Sequence, residues 1–323
     1  MRVAILDPTQ HGTGISILFP EADYYSIDPS GFFKYQQRSN KDFKSVYGFN
    51  YKENLQDITD KNYDVLIFVF ITLDATLETH TQYGPQFMKR IFEIIVETNK
   101  FTSVFLIDNH DYPYDPSKLF DVNLPVTAYF KRNYVTNIEY SEKVHPFPFL
   151  IFGQPTCSLW FMLTQREKLK AIKKEKYGVF FAGALYTESN TNTSVDRISI
   201  HTHCKDLIDT YKNLNYNEYI SLMSKYTMAL DLNGMGNPNK RTFEILNTRS
   251  LLLRQSNHLV WPFDDGEQFS TKNVFNDGPE LASIISSLQD TQLYNELMDN
   301  QNYIYDKYFT KEWLRSYILR FLQ

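Results

Sequence analysis

The hydrophobic positions of this chain fall into short continuous runs, separated by stretches where they recur every three to four residues. The runs "RVAILD" (2–7), "ADYYSID" (22–28), "YDVLIFVFI" (63–71), "TSVFLID" (102–108) and "VTAYFKRNY" (126–134) predict strands, the central ones covered on both faces. Between them "YGPQFMKRIFEIIVETNK" sets Phe87, Ile91, Ile94 and Ile95 at helical spacing, with Pro85 near the helix start, where its missing N–H matters least. Strands alternating with helices predict an α/β domain with a mostly parallel sheet.

The stretch "EKVHPFPFLIFGQPTCS" (142–158) holds three of the 13 prolines and lacks periodicity, so it reads as a crossover between domains. The alternation then restarts. "YGVFFAGAL" predicts a strand and loop, and "SVDRISIHTHCKDLIDTY" a helix with Ser194 as candidate N-cap. "NEYISLMSKY" is the next helix, "TMALDLNG" a strand, "PNKRTFEILNTR" a helix beginning near Asn237-Pro238, and "SLLLRQ" the strand behind it. Helices over "GPELASIISSLQD" and "TQLYNELMDNQNYIYDKY" follow, and "KEWLRSYILRFLQ" is expected to return to the first domain. The expected fold class is therefore α/β, with two Rossmann-like domains facing a cleft. The boundaries are 1–155, 156–305 and a C-terminal helix over 306–323.

Composition narrows the partners. The chain has 323 residues and a formal charge of −5, so no global field favours a polyanion and no stable nucleic-acid partner is expected. Phe (25) and Tyr (23) far outnumber Gly (12), a content that fills cores and also suits stacking on sugars or bases. Two cysteines, Cys157 and Cys204, stand far apart in no metal spacing, which predicts a reducing, cytoplasmic compartment without disulfides. "MRVAILDPTQHG" lacks the organisation of a signal peptide, and no apolar stretch is long enough to predict a transmembrane helix.

The segment "DLNGMGNPNKRTFEILNTRSLLLRQ" (231–255) concentrates the chemistry. A strand ends at a loop that leads into a helix start, the place where ligands sit in open α/β sheets and where an anion is favoured. Gly234 and Gly236 allow close approach of a phosphate, and Lys240 and Arg241 supply cationic donors. Glu244, one turn on and on the side of Arg241, is placed to accept from both ribose hydroxyls. A phosphate site beside a diol acceptor describes a nucleoside-diphosphate pocket. The residue types alone equally describe a turn followed by an i,i+3 surface pair of Arg241 and Glu244.

The order strand, Gly-containing loop, "KRTFEIL", small turn, "SLLLRQ" and aromatic-acidic loop resembles the donor half of GT-B glycosyltransferases, nearest to the exostosin-like, CAP10-like and spore-protein-like group. In that group an Arg and a Glu open the donor-site helix, matched here by Arg241 and Glu244, and an apolar strand follows, matched by Leu251 to Leu253. Downstream, Pro279-Glu280-Leu281 matches the "eEL" that opens a later helix. "YGVFFAGALYTESNTNTSVDRISI" is similar to the group's "fFaG…R" segment and puts Gly183 in the first βα loop and Arg197 on the following helix. The resemblance covers roughly 175 to 323. It implies transfer of a sugar from a UDP- or GDP-type donor to a hydroxyl of a carbohydrate or glycoconjugate, with no separate cofactor. The second glutamate that many retaining members carry eight positions on is Leu252 here, so a retaining mechanism gains no support. No D-x-D triplet occurs, which fits a site where Lys, Arg and the helix dipole, rather than a metal, neutralise the diphosphate.

An inverting transfer needs a base for the acceptor hydroxyl, expected at the strand ends of the first domain. The candidates are Asp7 with His11, Asp74, and Asp108, His110 and Asp111 in "DNHD", of which His11, Asp108 and Asp111 are preferred. Asp108 also fits a loop cap. "HGTG" (11–14) fits a phosphate contact or a tight βα turn, and His201 and His203, two apart on a helix, face different ways and suit no metal. "KLKAIKKEK" (168–176) reads as solvated surface, and Trp261 and Phe263 as stacking platforms or core. Two other functions stay open: glycosylation of a modified DNA base, and a non-catalytic nucleotide-sugar-binding module. An NAD-dependent oxidoreductase is disfavoured because "RVAILDPTQHGTG" lacks the G-x-G-x-x-G fingerprint.

Overall fold

The computed structural model describes residues 1–7, 13–25, 50–52, 55–70, 85–108, 113–120, 124–147, 168–169, 171–185, 191–234, 238–264 and 266–322. The chain divides into two compact units. The first comprises Met1–Trp160, Leu259–Pro262 and Lys311–Gln323; the second comprises Phe161–His258 and Phe263–Thr310.

The first unit is built on a parallel sheet of β1 (Val3–Leu6), β2 (Asp23–Tyr25), β3 (Asn50–Lys52), β4 (Val65–Phe70), β5 (Ser103–Asp108), β6 (Ala128–Lys131) and β7 (Val144–Pro146), in the spatial order β3-β2-β1-β4-β5-β6-β7. The apolar runs are strands for the reason their pattern suggests. Every residue of β1 and β5 is buried, so each strand needs hydrophobic side chains on both faces. Helices α1 (Thr13–Leu18), α2 (Gln56–Asp60) and α3 (Pro85–Thr98) belong to this unit. On α3 the buried stripe is Phe92, Ile95 and Val96, with Phe92 stacked on Phe68 at 4.6 Å. Ile94, expected on that face, is 42% exposed, because the stripe runs through positions three and four on from Phe92, whereas 94 is two on and points away. The crossover expected from residue 142 begins instead with β7, which needs only Val144 buried against β6.

The C-terminal stretch expected over 306–323 to return to the first domain becomes a separate helix only at Lys311, and from there it belongs to the first unit. Helix α9 (Lys311–Leu319, numbered after the second unit's helices below) packs against α1. Arg315 donates to the Leu18 carbonyl at 3.0 Å and pairs with Glu21, and the Tyr317 hydroxyl donates to the Pro146 carbonyl at 2.9 Å.

The second unit carries β8 (Lys176–Ala182), β9 (Ile208–Tyr211), β10 (Tyr226–Asp231), β11 (Leu251–Gln255) and β12 (Val274–Phe275), all parallel, in the order β12-β11-β10-β8-β9. Its helices are α4 (Thr191–His203), α5 (Tyr216–Met223), α6 (Lys240–Thr248), α7 (Gly278–Ser287) and α8 (Thr291–Tyr308). The single helix expected over 194–211 is a helix, a turn and strand β9. The chain turns at buried Cys204, whose thiol donates to the Gly278 carbonyl at 3.3 Å, and Ile208 then enters the sheet beside Val179. In "KLKAIKKEK", Lys174 is not a solvated residue. It is partly buried and its ammonium donates to the carbonyls of Ser224 and Thr248 at 2.8 Å and to Ser250 Oγ at 3.0 Å.

Strand β12 pairs only with Arg254 and Gln255, so the outer edge of Leu251–Leu253 needs other partners. Gln301 of α8 supplies them. Its carbonyl oxygen accepts from Leu252 N and its amide donates to the Ser250 carbonyl, both at 2.8 Å, while Asn273 donates to the Leu252 carbonyl at 2.6 Å. Replacing Gln301 by Met leaves a buried N–H and C=O unmet, and we expect it to lower stability by about 2–4 kcal/mol. Chemical denaturation of the full chain checks this, and an unchanged midpoint would remove Gln301 from the sheet's account.

Candidate functional site

The strand order β9-β8-β10-β11-β12 reverses direction between β8 and β10, and at such a point the two following loops run to opposite sides and leave room beyond the strand ends. The residues that follow are Gly183 after β8 and Leu232, Asn233 and Gly234 after β10. Arg197, on α4, ties the two ends together. Its Nε donates to the Asn233 carbonyl at 2.8 Å and its Nη1 to the Ala184 carbonyl at 3.0 Å. Gln255 and Ser256 hold the same loop from β11, Gln255 Oε1 accepting from Asn233 N at 3.0 Å and the Ser256 carbonyl from Asn233 Nδ2 at 2.8 Å.

Helix α6 starts at Lys240, two residues later than expected, because Asn239 caps it. The Asn239 side-chain oxygen accepts from the backbone of Arg241 at 2.8 Å and of Thr242 at 3.3 Å. Two of the first-turn N–H groups are therefore already engaged, and the cationic side chains are the principal donors at this end. Asp231 anchors the cap: it receives Asn239 Nδ2 at 2.9 Å and Thr242 Oγ1 at 2.5 Å. It stands opposite Arg254 in the strand register. Burial raises the Asp231 pKa above the usual carboxylate value, with Arg241, Thr242, Asn239 and Arg254 opposing the rise. Asp231 and Arg254 lay within the segment singled out from sequence, yet neither was assigned a part. The signal was there only as a polar residue ending an apolar strand and an Arg in an otherwise apolar one.

Arg241 lies over the Phe181 ring, 5.0 Å from its centroid, and against Gly183. A Cβ at position 183 would fall 2.2 Å from Arg241 Nη2, so this approach requires glycine. Burial lowers the Arg197 pKa, and the neighbouring Arg241 adds to the effect while Asp231 opposes it. Burial does the same to Arg254. Glu244 is buried and pairs with Lys240, not with Arg241: Lys240 Nζ is 3.4 Å from Glu244 Oε1. The i,i+4 partner wins over the i,i+3 one because Arg241 is drawn toward Phe181 and Gly183. Burial raises the Glu244 pKa, opposed by Lys240, the Tyr219 hydroxyl and Arg241. The arrangement thus gathers Lys240, Arg197, Arg241 and Arg254 with two buried carboxylates at one strand end, a positive cradle suited to an anion of more than one charge.

The expected donor residues Gly183, Arg197, Lys240, Arg241 and Glu244 come together here, and Gly234 lies in the loop after β10, two residues from Leu232. Gly236 lies outside the described residues, as do His11, Asp74, His110 and Asp111. Asp108 is described and is buried. It ends β5 opposite Lys131 of β6, whose ammonium is 2.9 Å from its carboxylate, and both side chains are sealed from solvent. Asp7 is likewise buried and accepts from the Tyr24 hydroxyl at 2.6 Å. Phe263 stacks on Tyr308 at 4.5 Å, within the second unit's own aromatic cluster. His201 bonds Thr210 at 2.7 Å. Among the described residues no group of three or more His, Cys, Asp or Glu is arranged to hold a metal ion, and no helix is long and apolar enough to cross a membrane.

No protein-family model matches the chain, and no curated protein matches it by sequence. Solved structures do match. The Anabaena protein HepE in complex with UDP is similar at 11% identity and a TM-score of 0.55, covering 99% of each chain. HepE in complex with UDP-glucose is similar at 11% identity and a TM-score of 0.52, over 99% of this chain and 98% of that one. The β-glucosyltransferase of T4 phage aligns over 100% of each chain at 12% identity with a TM-score of 0.48. The fold is that of the GT-B class, two Rossmann-like domains each with its own parallel sheet.

The electrostatics of Glu244 generate a test. A buried carboxyl with a raised pKa keeps its proton longer in the folded chain than in the unfolded one. Folded stability therefore falls as pH rises above the ordinary value of 4.5, and it is not regained at higher pH. Glu244→Gln, neutral throughout, is expected to melt a few degrees above the wild type at about pH 7.5, with the difference closing as the pH falls to the ordinary carboxylate value. Melting curves across this range check it; a variant less stable at every pH would contradict the direction given.

Proposed function

We propose that this chain is a glycosyltransferase that moves a sugar from a nucleoside-diphosphate sugar, of UDP type, to a hydroxyl of a carbohydrate or glycoconjugate. The observation that carries the reading is the cluster at the β8–β10 strand ends, with Arg197, Arg241 and Lys240 beside buried Glu244. A fold shared with HepE, a protein solved with UDP and with UDP-glucose, supports the choice of ligand. Arg241 and Lys240 hold the diphosphate, and Arg197 and Gly183 form a second wall. Glu244 receives the ribose hydroxyls, and Gly234 and Gly236 give the phosphates room.

In the reaction the bond between the anomeric carbon and the diphosphate oxygen breaks while one to the acceptor oxygen forms. The acceptor proton passes to a base, and negative charge grows on the leaving diphosphate. The chain's own guanidinium and ammonium groups neutralise that charge in this reading, so binding is metal-independent. The second unit is the donor domain and the first the acceptor domain, with membership of the exostosin-like and CAP10-like group and a cytoplasmic site of action as further parts of the proposal. Among the base candidates, Asp108 is spoken for by Lys131 and better suited to holding its strand end than to taking a proton. Asp111 and His11 remain the candidates for that step.

The test is a thermal-shift panel of UDP, GDP and CMP and their sugars, without metal, on the wild type and Arg241→Ala. At about 100 times the dissociation constant a bound nucleotide stabilises by roughly 2.7 kcal/mol. UDP and its sugars are expected to stabilise the wild type and not Arg241→Ala. Stabilisation by none of the nucleotides would reduce the cluster to a structural one.

A further inference from the structure

Helix α6 presents Lys240 and Glu244 one turn apart, beside α5. The two side chains differ sharply in depth, Lys240 being 38% exposed and Glu244 only 7%. The ammonium therefore sits over the carboxylate at the surface. A second contact holds it there: Lys240 Nζ is 4.6 Å from the centroid of the Tyr216 ring on α5. The Lys240 ammonium lies 3.4 Å from Glu244 Oε1, longer than a good charge-assisted hydrogen bond, and the Tyr219 hydroxyl stands beside the same carboxylate. A buried carboxylate met by so long a contact keeps capacity for a stronger donor from a ligand.

We propose that Lys240 is an exchanging counter-ion: it covers Glu244 in this structure and moves to the diphosphate when a donor binds, so that only a phosphorylated ligand uncovers the ribose acceptor. The inference rests on the donor-site reading above. The exchange favours the ligand because an ion pair with one partner at the surface is weak, whereas a charge-assisted bond to a phosphate oxygen is strong and draws on more than one charge. A nucleoside without phosphates must break the Lys240–Glu244 pair and offers the ammonium no anion in return. The site is thereby selective for nucleoside diphosphates over nucleosides beyond the direct contribution of the phosphate contacts. Tyr219, adjacent to the uncovered carboxylate, becomes available to the same hydroxyl pair.

Calorimetric titration of UDP and of uridine into the full-length wild type, Lys240→Met and Lys240→Arg tests this. Lys240→Met is expected to bind uridine about three- to fivefold more tightly than the wild type, because the covering pair is gone. The same variant is expected to bind UDP about tenfold more weakly, because a phosphate ligand is lost. Lys240→Arg, which keeps the charge, is expected to retain the wild-type preference. If Lys240→Met weakens both ligands, or weakens UDP and leaves uridine unchanged, Lys240 is a phosphate ligand only and the exchange is overturned while the donor site stands. If the wild type binds no UDP, the donor-site reading falls and the exchange with it.

Discussion

The carboxylate of Asp231 is the point on which the second unit's strand-end architecture depends. It closes β10, receives Asn239 and Thr242, and faces Arg254 across the strand register. Asn239, so held, caps α6, and the cap sets where Lys240, Arg241 and Glu244 project. The far end of the same helix is tied down separately, Lys174 donating to the Thr248 carbonyl. With both ends held, α6 is a rigid carrier for its charged first turn. A buried carboxylate among several cations stabilises a fold only weakly compared with an apolar core, so its presence speaks for placement of charge rather than for stability.

The sheet order supplies the space that this charge occupies. Because β8 lies between β9 and β10, the chain leaves β8 toward one face and β10 toward the other, and Arg197 bridges the two departures through backbone carbonyls. Gly183 is small where Arg241 passes, which lets a guanidinium settle against the backbone and over Phe181. Close cations at a partly buried position repel one another and lose solvation, a cost that an anion relieves. The first unit shows the contrasting use of the same chemistry. Its Asp108–Lys131 pair neutralises itself inside the sheet and leaves no net charge for a ligand.

Much of the fold was legible because parallel strands buried on both faces are written as continuous apolar runs. β4, β5, β10 and β11 stand close to where their sequences place them. The strands that went unread are short ones at sheet margins, and the short helices α1 and α2 went unread as well. β3, β7 and β12 span two or three residues each, too few to show a period, and β9 follows a helix with no Gly or Pro between them. In the cluster at the strand ends the donors Lys240, Arg241, Glu244, Arg197 and Gly183 were recognisable by type and position. Asp231, Asn239, Arg254 and Tyr219 were not, because what makes each of them matter is a neighbour distant along the chain.

The sequence by itself determined the succession of strands and helices, the two α/β units and the location of a charged helix start behind an apolar strand. Those features follow from local periodicity and from the chemistry of adjacent residues. Tertiary structure alone decided which charges pair. Glu244 lies within reach of both Lys240 and Arg241 on one helix, and it pairs with Lys240 because Phe181 and Gly183, some sixty residues upstream, draw Arg241 away. Asp108 had the look of an accessible strand-end acid, and the register of β5 on β6 set Lys131 against it and closed both off from water. Charge pairing in a folded chain depends on distance and burial, and neither is a property of sequence neighbours.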